Sequence, residues 1–494
     1  MKVELRNTGL RLTPESGEEV DEIASFRKRT SFLTPGYRFD TRFLLGRWDG
    51  RTYLVEREKG RGKRALSAWT VPVGLLAAAL EAFEGVEVED LRRPVGEVRG
   101  LAFDSSAKIE LRDYQREAVD AFVESTGLTA GKGLLQLPTR SGKTVIASEV
   151  IRRLGVRTLF VVSSNLLLRQ TAALFSRLIC EQTPSGAPLV AVYGAGSTET
   201  AWITVASVQS LCAHSKRPEV RALLATVDLV IFDECHHLTG DFWREVVTGS
   251  DARYKLGLSA TIEIDADASS VWIEAATGPV LYALTPSDLI ADGWLCRPLI
   301  SFEVAPEPPG GVDGSLPWST QYRVGIVENA ARNARIAALA LEAVLRRERV
   351  LVTLRHVAHC ATLRAELEGV GLTVAEITGS TPAKKREKLS EAFRTGELDV
   401  LIGTVFGEGV DLPWLDTVIV GDGGASPVLT LQRLRNLTPY DPLTGRARVS
   451  PMEVPVVVRV HDFVDLATKS LASHSRARLR TYREHEAFDV RWSK

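Results

Sequence analysis

The stretch Gln136-Leu137-Pro138-Thr139-Arg140-Ser141-Gly142-Lys143-Thr144 constrains this chain more than any other. Lys132 to Gln136 in front of it is short and apolar enough for a buried strand, and Val145 to Leu154 behind it has helical spacing, with Arg152 and Arg153 near the end. A strand, a Gly-Lys-Thr turn and a helix in that order form a phosphate cradle. Backbone N–H groups at the helix start face a β-phosphate, Lys143 bridges β- and γ-phosphates as a point charge, and the Thr144 hydroxyl suits Mg²⁺. The strict pattern has Gly at position 137, where this chain has Leu137. Taken alone, the turn could equally open an ordinary helix, so its meaning depends on the rest of the chain.

The later motifs come in a definite order. Val227 to Phe232 is an apolar strand ending in Asp233-Glu234, 90 residues after Lys143. Two carboxylates at a strand end suit one acid for Mg²⁺ and a second, Glu234, to orient and deprotonate an attacking water. Leu256-Gly-Leu-Ser259-Ala260-Thr261 comes next. A second block then alternates helix and strand: Asn329 to Arg346, Val350 to Thr353, Val357 to Leu367, Thr373 to Ile377, Ala383 to Phe393 and Val400 to Gly403. That alternation predicts a second parallel sheet covered by helices. Between the blocks, Val304 to Pro317 is rich in Pro and Gly, the composition of a hinge.

From Gln115 to Arg433 the motif order resembles the superfamily-2 helicases, in which Pro-Thr-Gly-Ser-Gly-Lys-Thr is the usual phosphate loop. Arg140 stands here where that family has Gly. The resemblance implies two RecA-like parallel-sheet domains with ATP and Mg²⁺ as cofactors. It makes Pro138, Thr139, Arg140, Ser141, Gly142, Lys143 and Thr144 the phosphate contacts, with Thr144 and Asp233 holding the metal. By the same resemblance Gln115 reads the adenine edge with Arg112 or Tyr114 near the base, and Ser259 and Thr261 couple the ATP state to the grip on the strand. Ser164 contacts DNA, Gly409 and Asp411 approach the nucleotide, and Gln432 belongs to the last motif. That motif departs from the family: Arg435 sits at its Gly, while Asn436 and Pro439 occupy its two arginine positions. Either Arg433 or Arg435 serves as the arginine finger, or hydrolysis is slow.

The ends of the chain carry a narrower resemblance, to the branch-migrating DNA helicases of tailed phages. It rests on Arg47-Trp48-Asp49-Gly50-Arg51 with the helix beginning Pro72-Val-Gly-Leu-Leu76, and on His474, Ser475, Arg478 and Tyr482 in the tail. Between Arg27 and Arg64 there are twelve Lys or Arg against four Asp or Glu. Phe32, Tyr37, Phe39, Phe43, Trp48 and Tyr53 are interleaved with them. Such a patch suits phosphate neutralisation with stacking or wedging, and Arg47, Trp48 and Arg51 are its candidate DNA contacts. The competing reading makes the aromatics a small core and the charges its solvated face. Tyr37 to Glu56 is predicted to be a hairpin with its turn at Trp48-Asp49-Gly50. In the tail, Arg476, Arg480 and Arg483 fall on one helical face, so Arg476 and Arg480 are further DNA candidates.

With 494 residues the chain exceeds one core. Four segments are expected: an accessory α+β domain at 1–105, RecA-like domains at 106–300 and 301–465, and a basic helix at 466–494. No apolar run reaches membrane-spanning length, and Met1-Lys-Val-Glu-Leu-Arg lacks a signal-peptide core, which predicts a cytoplasmic protein. Five scattered cysteines form no ligand-spaced pair and read as reduced core thiols. The expected activity is an ATP-dependent DNA helicase or translocase on duplex, forked or branched DNA, with RNA less favoured and recombination or repair proteins as possible partners. Two alternatives stay open: a duplex translocase that does not separate strands, and an ATP-binding clamp with little hydrolysis.

Overall fold

The computed structural model describes residues 1–34, 36–58, 67–83, 85–138, 141–163, 165–182, 186–235, 246, 249–260, 268–404, 415–426, 430 and 457–492. Contacts divide the chain into two units, Met1–Leu284 and Thr285–Lys494. Each is built on a parallel sheet of the RecA-like kind. In the first unit eight strands run in the order Ser197–Thr198, Val190–Gly194, Ile203–Ser207, Thr158–Val162, Leu229–Phe232, Tyr254–Ser259, Lys132–Gln136 and Val280–Ala283, and only the first pair is antiparallel. Leu229–Phe232 and Thr158–Val162 are buried at every position, the pattern of strands covered by helices on both faces.

The phosphate-loop helix Lys143–Leu154 is bounded by left-handed glycines, Gly142 before and Gly155 after it. Its last-turn Arg152 and Arg153 complement the helix dipole and both pair with Glu149 one turn earlier.

The accessory module belongs to this same unit. Its five strands run in the order Glu56–Arg57, Trp69–Pro72, Gly9–Thr13, Lys2–Leu5 and Val88–Asp90, with helix Gly17–Arg29 packed against them through Ile23 and Phe26. The module is fastened to the elements of the eight-stranded sheet. Its apolar cluster includes Ala275 of helix Ala268–Thr277, Arg93 pairs with Asp228 at 2.7 Å, and the Asn7 amide donates to the Asp251 carbonyl at 3.1 Å.

The predicted hairpin is built differently. Its first arm is Ser31–Leu33, paired antiparallel with Arg51–Tyr53, and Tyr37–Phe39 and Thr41–Leu44 are helical turns. Asp40 is the reason, since its carboxylate caps the second turn by accepting from the Arg42 N–H at 2.8 Å. Of the aromatics in this stretch, Tyr37 and Phe43 pack on each other, and Phe39 stays exposed.

Among the described residues the second unit holds seven strands, all parallel, in the order Val374–Ile377, Val400–Gly403, Val350–Thr353, Thr417–Val420, Val457–Val464, Arg297–Val304 and Asp489–Trp492. The Pro- and Gly-rich stretch read as a hinge lies inside this unit.

Two fully buried arginines organise its far end. Arg332 reaches Asp465 at 3.0 Å and donates to the Gly421 carbonyl at 2.6 Å. Arg478 reaches Asp462 at 3.0 Å and donates to the Gly424 and Phe463 carbonyls at 2.8 and 2.7 Å. The tail motif is thereby explained in part. His474 contacts the Gly423 carbonyl at 3.3 Å, the Ser475 hydroxyl accepts from the Asp465 N–H, and the Tyr482 hydroxyl donates to Asp462. These side chains hold the helix Lys469–Arg483 against the sheet. Arg476, Arg480 and Arg483 line its exposed face.

Candidate functional site

Three neighbouring strands deliver the site. Lys132–Gln136, Tyr254–Ser259 and Leu229–Phe232 lie side by side and parallel, so the phosphate loop, Ser259 and the Asp233-Glu234 pair emerge at one edge of the sheet. This is the carboxyl edge, where open α/β sheets bind ligands. Lys143 and Glu234 meet there. The ammonium is 2.7 Å from the Glu234 carboxylate, and both side chains are largely buried. The alignment rests on backbone bonds: the Leu137 N–H donates to the Ser259 carbonyl at 2.7 Å, and the Asp233 N–H to the Val161 carbonyl at 3.0 Å.

Two backbone conformations are diagnostic. Gly142 sits at φ 81°, and a Cβ there would stand 2.4 Å from the Gln115 amide nitrogen, so only glycine fits. Glu234 adopts φ 49°, a left-handed conformation that a non-glycine residue reaches only under constraint. Asp233 helps hold it, since its carboxylate accepts from the Glu234 N–H at 3.1 Å. Behind the pair Cys235 is fully buried, and burial pushes its thiol pKa up, which leaves it no role as a nucleophile.

Gln115 has a positioning role that sequence reading missed. Its amide donates to the Ser141 carbonyl at 2.8 Å and its oxygen accepts from the Arg112 N–H at 3.0 Å. Tyr114 donates to the same Ser141 carbonyl at 2.9 Å and accepts from the Arg112 guanidinium at 2.8 Å. The Arg-x-Tyr-Gln sequence thus ties the start of helix Asp113–Val123 to the phosphate loop. Tyr114 and Gln115 are both buried at this helix start, a placement that only the fold shows.

A second pair of strand ends also converges. Thr158–Val162 and Ile203–Ser207 are in register, Val162 opposite Ser207, and helices Asn165–Leu178 and Val208–Ala213 start at that same edge. The Gln209 amide donates to the Ser163 carbonyl at 2.6 Å. Thr139, Arg140, Ser164, Thr261, Gly409, Asp411, Gln432, Arg433 and Arg435 lie outside the described residues. Among the described residues no group of three or more His, Cys, Asp or Glu could cage a metal. Thr144 and Asp233 do flank the cradle, a sparse donor set of the type Mg²⁺ completes with water and phosphate oxygens.

Comparison with known proteins decides the family. The family model of the type III restriction enzyme res subunit matches residues 108–264, and that of the helicase conserved C-terminal domain matches residues 333–435. The chain is a superfamily-2 helicase. As such it is an ATP-hydrolysing enzyme. The helicase is similar to the ATP-dependent DNA helicase uvsW of Enterobacteria phage T4, with 23% identity over 431 residues, 82% of this chain and 81% of the relative. To the DNA 3'-5' translocase XPB2 of Sulfurisphaera tokodaii the identity is 27% over 369 residues, 66% of this chain and 78% of the relative. In fold the helicase resembles Saccharomyces cerevisiae Dbp5 bound to RNA and ADP BeF3, at TM-score 0.51 and 15% identity, covering 77% of this chain and 89% of that one. Among the described residues no helix is long and apolar enough to cross a membrane.

Proposed function

We propose that this helicase is an ATP-driven motor on duplex and branched DNA. The observation that carries the reading is the Lys143 to Glu234 contact at 2.7 Å, which brings the phosphate lysine and the water-orienting carboxylate together at one sheet edge. When nucleotide enters, Lys143 exchanges this carboxylate for the β- and γ-phosphate oxygens and neutralises charge as it develops there. Glu234, released, orients the attacking water and accepts its proton. Thr144 and Asp233 would hold Mg²⁺, which would supply the remaining positive charge. Ser141 and Gly142 present backbone to the phosphates, with Pro138, Thr139 and Arg140 completing the loop. Gln115 braces Ser141 and, with Arg112, reads the base. Ser259 and Thr261 pass the state of the site toward the DNA grip, in which Ser164 takes a phosphate. Gly409, Asp411 and Gln432 complete the nucleotide contacts, and Arg433 or Arg435 supplies the finger.

Support for DNA comes from the relatives, two of which are named as acting on it, and from the arginine-rich accessory module and tail face. Recombination and repair proteins are the fitting partners. The test is phosphate release with single-stranded, duplex, forked and four-way-junction DNA side by side. Stimulation by duplex and junction substrates is expected. Glu234→Gln should keep ATP bound while hydrolysis falls at least ~10²-fold; loss of ATP binding instead would make Glu234 structural. Stimulation without strand separation would select the duplex-translocase reading, and no hydrolysis in the parent protein would select the clamp.

A further inference from the structure

The accessory module carries a knob that its own fold does not need. Gly36 to Gly50 forms a compact loop rising from the strand pair Ser31–Leu33 and Arg51–Tyr53. Inside it the Tyr37 and Phe43 rings meet edge-on at 4.8 Å, and the Trp48 indole N–H donates to the Arg51 carbonyl at 2.8 Å. Gly50 closes the loop at φ 78°, where a Cβ would strike the Tyr37 ring at 2.5 Å. The loop is therefore packed around its own rings. Yet Phe39 is 89% exposed, Leu44 68% and Leu45 59%. Three large apolar side chains held in water are costly at about 25 cal/mol per Å² unless something covers them.

The surroundings say what covers them. Arg38, Arg42 and Arg47 are exposed around the same loop. The two acids are occupied: Asp40 pairs with Arg42 at 2.8 Å, and Asp49 accepts from the Tyr53 hydroxyl and the Arg51 N–H. Arg38 and Arg47 have no carboxylate partner among the described residues. Exposed apolar side chains interleaved with exposed arginines on one loop match bases flanked by phosphates, and insertion of Phe or Leu between base steps is a known way of prising them apart. The base of the knob stands on the motor: Phe32 packs on Trp272 at 6.2 Å, in helix Ala268–Thr277, the first described helix after the Ser259 strand end.

We propose that this knob is a strand-separating wedge, with Phe39, Leu44 and Leu45 entering the branch point of duplex DNA and Arg38 and Arg47 holding the flanking phosphates. This rests on the DNA-motor reading and adds the part that turns movement into strand separation. It also redistributes the predicted contacts. Arg47 remains on the DNA side, whereas Trp48 braces the loop and Arg51 donates inward to the Ser31 hydroxyl at 3.1 Å.

Two measurements on the full chain test it. With 2-aminopurine at the branch of a synthetic fork, binding of the parent protein should raise fluorescence as the base unstacks, and Phe39→Ala should abolish the rise while Phe39→Trp restores it. In the second, the Phe39→Ala, Leu44→Ala, Leu45→Ala variant should separate roughly tenfold less junction DNA per ATP hydrolysed, with an unchanged thermal midpoint showing that it folds. A variant matching the parent in separation per ATP, or a knob that binds a protein and leaves the fork signal flat, overturns the wedge while the motor stands. A parent without DNA-stimulated hydrolysis overturns the motor reading itself.

Discussion

The knob and the arginine clamp of the second unit use the same residue in opposite ways. Around the knob, Arg38 and Arg47 face water without a carboxylate partner among the described residues, on a loop whose packing is aromatic. In the second unit Arg332 and Arg478 are fully buried, with carboxylates and backbone carbonyls on their donors. Composition does not separate these cases: arginine among aromatics describes both. The partner does. A buried arginine without its acid is expensive, so a clamp must be complete, whereas an exposed arginine costs little and keeps its charge for a ligand.

Lys143 puts the greatest strain on that contrast, because it is buried and paired and yet functional. Lys143→Ala is expected to abolish ATP turnover while the thermal midpoint stays near that of the parent, since its charge is aimed at the transferring phosphate. Wild-type-like phosphate release would break the comparison at its root. Arg478→Ala should be the structural counterpart. Leaving Asp462 buried without its partner should destabilise the second unit by about 3–5 kcal/mol, whereas Arg478→Met with Asp462→Leu should recover most of that. Denaturant titration of both variants, followed by circular dichroism, decides it; equal loss in the two would mean that the carbonyl bonds to Gly424 and Phe463 matter more than the charge.

Lys132 offers the reverse sign. It is buried, its ammonium has no hydrogen-bond partner among the described residues, and burial, with Arg92, Arg253 and Lys255 nearby, lowers its pKa to about 7. The folded value lies below the ordinary one, so the folded state binds fewer protons than the unfolded between about 7 and 10.5, and stability rises with pH across that window. Lys255, lowered to about 8 by burial, adds to the same slope. Lys132→Met should raise the melting temperature at pH 7 and make its rise toward pH 10 shallower. The Arg38→Ala, Arg47→Ala variant should shift stability by less than ~0.5 kcal/mol and reduce the salt slope of duplex binding by about two units. Smallest of all, Arg476→Ala with Arg480→Ala should leave stability alone and lower that slope by at most about two; an unchanged slope assigns the tail face to solvation.

The pattern of success in reading the sequence follows from the range of the interactions. Gly142-Lys143-Thr144 between a strand and a helix, and Asp233-Glu234 at a strand end, were legible because each is a local grammar of a few residues. So was the alternation from Asn329 to Gly403, where every strand is a short apolar run. The first hairpin arm was misplaced because Tyr37, Phe39 and Phe43 mimic a strand's alternation, while the Asp40 cap that makes them helical weighs one hydrogen bond. Arg332 was invisible, because its acid, Asp465, comes just after a strand from the far end of the unit. His474, Ser475, Arg478 and Tyr482 could be matched to other proteins by spacing, but their work on Asp462, Asp465 and the carbonyls of Gly423 and Gly424 needed coordinates.

The strand Arg297–Val304 lies between Val457–Val464 and Asp489–Trp492 in its sheet. It is the earliest strand of the second unit, and both its neighbours are the latest. During synthesis the first unit has all its strands once Ala283 has emerged and can close its sheet, while Arg297–Val304 waits for partners from the far end of the chain. Contacts of such long sequence separation form slowly. A ribosome stalled anywhere between the two would display an apolar strand without neighbours, so the sheet of the second half closes later in synthesis than the sheet that carries the phosphate loop.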